Sequence, residues 1–125
     1  MKLGIVVLGH GSRACVGEAN QVVFQVSDMI RERAGDALVE TAIMNRMSGL
    51  QTIEQAVEKL INKGAGRITV VPMFFANGMH IQQDIPEEIT ELRKRHPGIS
   101  ITMAGHIGAD ARIADILMER IREVQ

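Results

Sequence analysis

Two histidines sit where an imidazole can do chemistry. His10 lies in Gly9-His10-Gly11-Ser12-Arg13, directly after an apolar run over residues 3–8. Glycine on both sides lets the chain turn sharply and a ligand come close. A neutral imidazole binds divalent transition metals and also exchanges protons near neutral pH. The plainer alternative is a turn histidine bonded to a neighbouring carbonyl. His80 closes a loop of glycine, asparagine and apolar residues, Phe74-Phe75-Ala76-Asn77-Gly78-Met79-His80. Asp84 follows four residues later; on a helix the two share a face, where the carboxylate orients the imidazole or else caps the helix. His106, in Gly105-His106-Ile107-Gly108, is a third candidate, with a polar loop residue as its plainer alternative. Arg13 and Arg46 can pair with ligand carboxylates through planar bidentate contacts, or sit as solvated surface charges.

These residues need elements to hold them, and the chain alternates strand and helix periods. Residues 3–8 (LGIVVL) are continuous, apolar and β-branched, as in a strand buried on both faces. Residues of about 17–34 turn helical, with Ala19, Val22, Val23, Val26, Met29 and Ile30 at three- and four-residue steps. Residues 38–44 read as a second strand and Ile53, Ala56, Val57, Leu60 and Ile61 as a helical stripe. Residues 67–73 form a third strand. Asp84-Ile85-Pro86-Glu87 has the pattern of an N-cap that starts a helix, which His96-Pro97-Gly98 closes. Residues 99–103 give a fourth strand. A last helix covers about 109–124 with Ile113, Ile116, Leu117 and Ile121 inward.

The order βαβαβαβα predicts one α/β domain over residues 1–125. Its sheet is parallel and four-stranded with helices on both faces, and the strand order common at this length is 2-1-3-4. Ligands of such sheets bind beyond the carboxyl ends of the strands. Three of the four histidines, His10, His80 and His106, fall at that edge, and His96 falls at the opposite one. Met44, Met47, Met73, Met79 and Met103 also lie at or near it, as an adaptable floor for a flat organic ligand or as plain core.

Composition excludes several classes. A chain of 125 residues with 46% hydrophobic and 23% charged residues builds a real core. A net charge of −1 argues against a general nucleic-acid or membrane-surface binder. With neither Trp nor Tyr and only three Phe, there is little to stack on bases. No apolar run is long enough to span a membrane, and the N-terminal run reads as a strand, not a signal peptide. A single cysteine, Cys15, fits a reducing cytoplasm. Residues 9–14 satisfy a G-x-G-x-x-A dinucleotide pattern, but the acid expected at the end of strand two is missing: position 45 is Asn. Ser12 does not form a nucleophile elbow.

Val-Val-Leu-Gly-His10-Gly-Ser-Arg13, followed by Val-Val-Pro72-Met-Phe-Phe-Ala-Asn-Gly78-Met-His80-Ile-Gln-Gln-Asp84-Ile-Pro86, resembles the short CbiX-type chelatases. These are class II tetrapyrrole chelatases, similar to the SirB and CfbA proteins. The resemblance covers essentially the whole chain, and the joint pattern HGSR with G-x-H-x-x-x-D-I-P is specific. It implies insertion of a divalent metal, cobalt ahead of iron and nickel, into sirohydrochlorin in cobalamin or siroheme biosynthesis. No organic cofactor is expected. It implies a homodimer, because longer members carry two fused copies of this domain. It places the two metal ligands on His10 and His80, with His10 also the proton acceptor. The tetrapyrrole-contacting segment maps onto Phe75, Ala76, Asn77, Gly78 and Met79. The family usually has a glutamate followed shortly by a proline at the end of strand two, where this chain has Asn45 and Gly49.

The chemistry asks for the same residues. Metal insertion needs a site that holds an ion loosely and hands it to ring nitrogens, which two imidazoles with open positions do better than a closed four-ligand cage. Pyrrole protons must also leave, which calls for a base of near-neutral pKa. Arg13, Arg46 and Asn45 are then rim contacts for a carboxylate-rich macrocycle. Two other readings remain: a metal or tetrapyrrole carrier without catalysis, motivated by Asn45, and a small dinucleotide-binding module.

Overall fold

The structure, a computed structural model, describes residues 2–11, 16–45, 48–76 and 78–125, with positions 16, 17, 19 and 79–81 described by backbone alone. The elements are β1 (Lys2–Gly9), α1 (Val16–Arg33), β2 (Leu38–Ile43), α2 (Ile53–Asn62), β3 (Ala65–Pro72), α3 (Met79–Arg95), β4 (Ser100–Met103) and α4 (Ala111–Glu123). The strands form one parallel sheet in the order β2-β1-β3-β4, as expected from the alternation.

Strand residues alternate between two apolar layers. Val6, Leu8, Ile68, Val70 and Ile101 face α2 and α3, whose Val57, Leu60, Ile85, Ile89 and Leu92 complete that layer. Val7, Val39 and Ile43 face the other way, toward Val23 and Ile30 of α1. Helices thus lie on both faces. The first turn of α2 is fixed by a reciprocal cap: the Gln55 N–H donates to the Thr52 hydroxyl (3.2 Å), and the Thr52 N–H donates to the Gln55 side chain (3.0 Å). At the carboxyl edge the ladder runs past the strand ends, with Met44 N–H donating to the Gly9 carbonyl and Met73 N–H to the Leu8 carbonyl, both at 2.8 Å.

Two expectations are corrected. Helix α3 begins at Met79, with Gly78 as N-cap, and not at Asp84; Pro86 lies inside it. Proline is tolerated there because Ile85, Ile89 and Leu92, all at most 2% exposed, anchor one apolar stripe across the interruption. The second correction concerns α4. Ile116, Leu117 and Ile121 were expected inward but are exposed, and α4 has no buried residue. Periodicity reveals a face built for burial without saying which surface covers it.

Candidate metal centre at the carboxyl edge

His10 follows the last residue of β1, on the exposed carboxyl edge. Its ring meets Phe74 edge-on, with centroids 5.8 Å apart and planes at 77°, a favoured aromatic geometry. Phe74 is only 6% exposed, so a fixed core ring sets the orientation of the imidazole. Phe74 was not singled out from the sequence, where it looks like its neighbour Phe75. The two differ in direction: Phe75 is 69% exposed at the edge while Phe74 turns into the α2–α3 layer.

Asn45 holds the turn that carries His10. Its N–H donates to the His10 carbonyl (3.0 Å) and its side-chain amide donates to the Gly11 carbonyl (3.3 Å). The loop behind Asn45 is itself pinned to β2. Gln51 donates from its side chain to Glu40 (3.0 Å) and to the Thr41 carbonyl (2.9 Å), and its own carbonyl accepts from the Ile43 N–H (2.8 Å). Lys59 and Lys63 of α2 each approach Glu40 to 3.3 Å. Partial burial works to raise the Glu40 carboxyl, but Gln51, Lys63 and Lys59 outweigh it, so its pKa is lowered and it stays charged at neutral pH.

The brace bears on the missing glutamate. A carboxylate at position 45 cannot donate to the Gly11 carbonyl and repels it. Asn45→Glu is therefore expected to lower stability by about 1 kcal/mol, through one lost hydrogen bond. It should also weaken binding, at low salt, of the sirohydrochlorin that the resemblance implies, without raising the single-turnover rate. Stopped-flow absorbance with a thermal melt measures both. A faster single turnover would instead make position 45 the place of a lost base.

The other residues distribute as follows. β1 and β3 are neighbours, so the backbone of His80, in the first turn of α3, arrives at the same edge as His10. Ala76 and Gly78 are exposed there beside Phe75. Met79, like His80, is described by backbone alone, and Arg13, Arg46 and Asn77 lie outside the described residues. Asp84 is not the cap of α3. It lines a groove of about 430 Å³ between α2 and α3 with Met44, Glu87 and Glu88. Met44 and Met103 pack against the α2–α3 core and Met73 against the α1 core, each still partly exposed. Met47 lies outside the described residues. His106 is exposed in the loop after β4, and His96 caps the far end of α3. That β4–α4 loop is tied to the loop carrying Phe75: Ile107 N–H donates to the Phe74 carbonyl (2.9 Å) and Gly108 N–H to the Phe75 carbonyl (3.1 Å).

Known proteins share this arrangement. Residues 4–124 match the CbiX family model. A sirohydrochlorin cobaltochelatase of Methanosarcina acetivorans is 34% identical, over 98% of this chain and 96% of its own length. A sirohydrochlorin ferrochelatase of Priestia megaterium is also 34% identical, over 95% of this chain but only 43% of its own. The sirohydrochlorin chelatase SirB of Bacillus subtilis subspecies spizizenii, solved in complex with cobalt, superposes with a TM-score of 0.86 at 31% identity. That match covers 99% of this chain and 51% of SirB, so this chain spans about half of that protein. A family match over nearly the whole sequence, carried on a parallel sheet that brings positions 10 and 80 to one edge, makes this chain a member of the CbiX family.

Proposed function

We propose that the protein inserts a divalent metal, Co2+ in preference to Fe2+, into sirohydrochlorin without ATP. The observation that supports this most is the parallel pairing of β1 with β3, which brings the segments that follow them, and with them positions 10 and 80, to one edge of the sheet. His10 and His80 hold the metal ion, itself a substrate, at open coordination positions. His10 gives up its hold as the ring nitrogens take the ion, and then accepts one of the two pyrrole protons displaced; the second leaves to solvent. Phe75 and the segment 76–79 provide the surface for the macrocycle. Its carboxylates are assigned to Arg13, to Arg46 and to the first turn of α3, whose N-cap Gly78 supplies no side-chain bond. Cobalt is preferred because the cobaltochelatase relative matches this chain end to end, whereas the ferrochelatase relative is more than twice as long. The protein acts in the cytoplasm, in keeping with its single cysteine, and as a homodimer.

One observation favours a second reading, a metal or tetrapyrrole carrier: the amide of Asn45 is engaged with Gly11 and cannot serve as a base. Anaerobic absorbance titration of sirohydrochlorin and Co2+ at a large excess over protein separates the two. An enzyme yields many equivalents of cobalt product per chain, above the protein-free rate. A carrier shifts the spectrum by one equivalent and stops, and that result would remove the catalytic reading.

A further inference from the structure

Among the described residues, three polar side chains are buried: Asn20, Ser27 and Thr41, exposed by only 4%, 1% and 5%. Two of them satisfy one another. The Thr41 hydroxyl donates to the Ser27 hydroxyl (2.7 Å), which donates to the Val23 carbonyl (2.9 Å). The third does not. Among the described residues, Asn20 Nδ2 is buried without a hydrogen-bond partner. A buried donor left unpaired costs free energy, and a native structure that keeps one calls for a reason.

The place of Asn20 points to that reason. Helix α1 runs antiparallel to β1, as its return to the parallel neighbour β2 requires. Val23 lies against the end of β1: a Cβ at Gly9 would fall 2.7 Å from Val23 Cγ2. Asn20 comes three residues earlier on the same helix, so it stands about 4.5 Å further toward the carboxyl edge, level with the turn that carries His10. Side chains on a helix lean toward its N-terminus, so that of Asn20 leans toward the first turn of α1. The N–H groups of that turn have no partner within the helix and carry the positive end of its dipole. A glycine-rich turn that opens a helix is a general form of oxyanion site. Residues 9–14 have that form while strand two lacks the acid that a dinucleotide needs. Glu18, the acid of the first turn, is exposed and about 200° around the helix from Asn20.

We infer that Asn20 and the first turn of α1 hold an oxyanion, which in the reaction is one carboxylate of the macrocycle. The carboxylate lies across the N–H groups of the turn, and its inner oxygen accepts from Asn20 Nδ2. This contact holds the ring from the α1 side, whereas residues 75–79 hold it from the end of β3. It makes Asn20 a specificity residue, because a ring whose peripheral acids are esterified loses the contact. The inference rests on the function proposed above and adds the group that reads the substrate's acids.

Binding of metal-free sirohydrochlorin, followed by absorbance, tests the contact without turnover. Asn20→Leu should raise the Kd about tenfold. In cobalt insertion it should raise KM far more than it lowers kcat. Without ligand the same variant should melt at a higher temperature than the wild type, since an apolar group of similar size removes the unpaired donor. Gln21→Leu, which replaces an exposed amide on the same helix, should change none of these. Inorganic phosphate separates the two sources of oxyanion. It should compete with the macrocycle for the wild type, and the competition should weaken in Asn20→Leu. Phosphate that binds the wild type without displacing the macrocycle, or an unchanged macrocycle Kd in Asn20→Leu, would overturn the contact. If Asn20→Leu does not fold, the competition in the wild type decides alone. The two readings fail separately: Asn20-dependent binding without turnover keeps the contact and loses the chelatase, and turnover with Asn20-independent binding does the reverse.

Discussion

His10→Ala is expected to cut cobalt insertion by at least a hundredfold while leaving the fold intact. A positioned proton acceptor alone contributes about 10²–10⁴-fold, and His10 is assigned metal holding as well. The fold should survive because His10 is exposed and its ring touches the core only at the edge of Phe74. His80→Ala removes one proposed metal ligand without removing the proposed acceptor, so the two variants should differ in kind. Raising Co2+ should partly restore His80→Ala and leave kcat of His10→Ala depressed. Anaerobic initial rates across a metal series, with circular dichroism as the folding control, give the split. Wild-type rates in both variants would dismiss these histidines as the centre.

Gly11→Ala should be nearly as damaging, by a different route. Gly11 has φ +85°, and a Cβ there would lie 2.6 Å from Cγ2 of Ile43 and 2.8 Å from Cβ of Asn45. The backbone strain costs about 1–3 kcal/mol, and neither contact is with the far end of a flexible chain. The total is about 3 kcal/mol, enough to lower the thermal midpoint by roughly 10 °C in a domain of this size. If the turn yields instead, His10 moves, and a displacement of about 1 Å can cost 10²-fold in rate. Gly35→Ala is the control: its φ is +62°, but a Cβ there meets nothing within 4 Å. It should lose about 1 kcal/mol and no activity. Equal effects in the two variants would show that the contacts with Ile43 and Asn45 do not matter.

Most of the architecture is legible in the residues because the strands are buried on both sides. An apolar run such as residues 3–8, followed by glycine, has few other readings, and short right-handed crossovers limit the strand orders that follow. The placement of His10, and of the His80 backbone, at one edge then comes from topology. What escaped has specific causes. Asp84 and Pro86 imitate the cap and first turn of a helix, so the sequence pattern puts the N-cap of α3 six residues late. Phe74 and Phe75 differ only in which way the chain faces as β3 ends, and no pattern within two identical neighbours encodes that. The sequence offers Asn45 as a contact for a ligand; its amide also serves Gly11, a partner 34 positions away. The apolar stripe of α4 is legible in the sequence but not the surface it faces, because a period describes the helix and not its neighbour.

The central place of β1 also sets the order in which the molecule can form. Leu8 pairs with Ala42 on one side and Pro72 on the other, partners roughly 30 and 60 residues along the chain, so the closing of the sheet is a long-range and slow event. During synthesis β1 precedes both of its neighbours, and the second of them, β3, follows only about 60 residues later. Residues 10 and 80 reach one edge in the step that zips β1 to β3. On the proposed ligand roles of His10 and His80, a chain caught before that step has no paired histidines to offer, so capture of metal would follow completed folding, and Co2+ would act as a late stabiliser and not as a template for assembly.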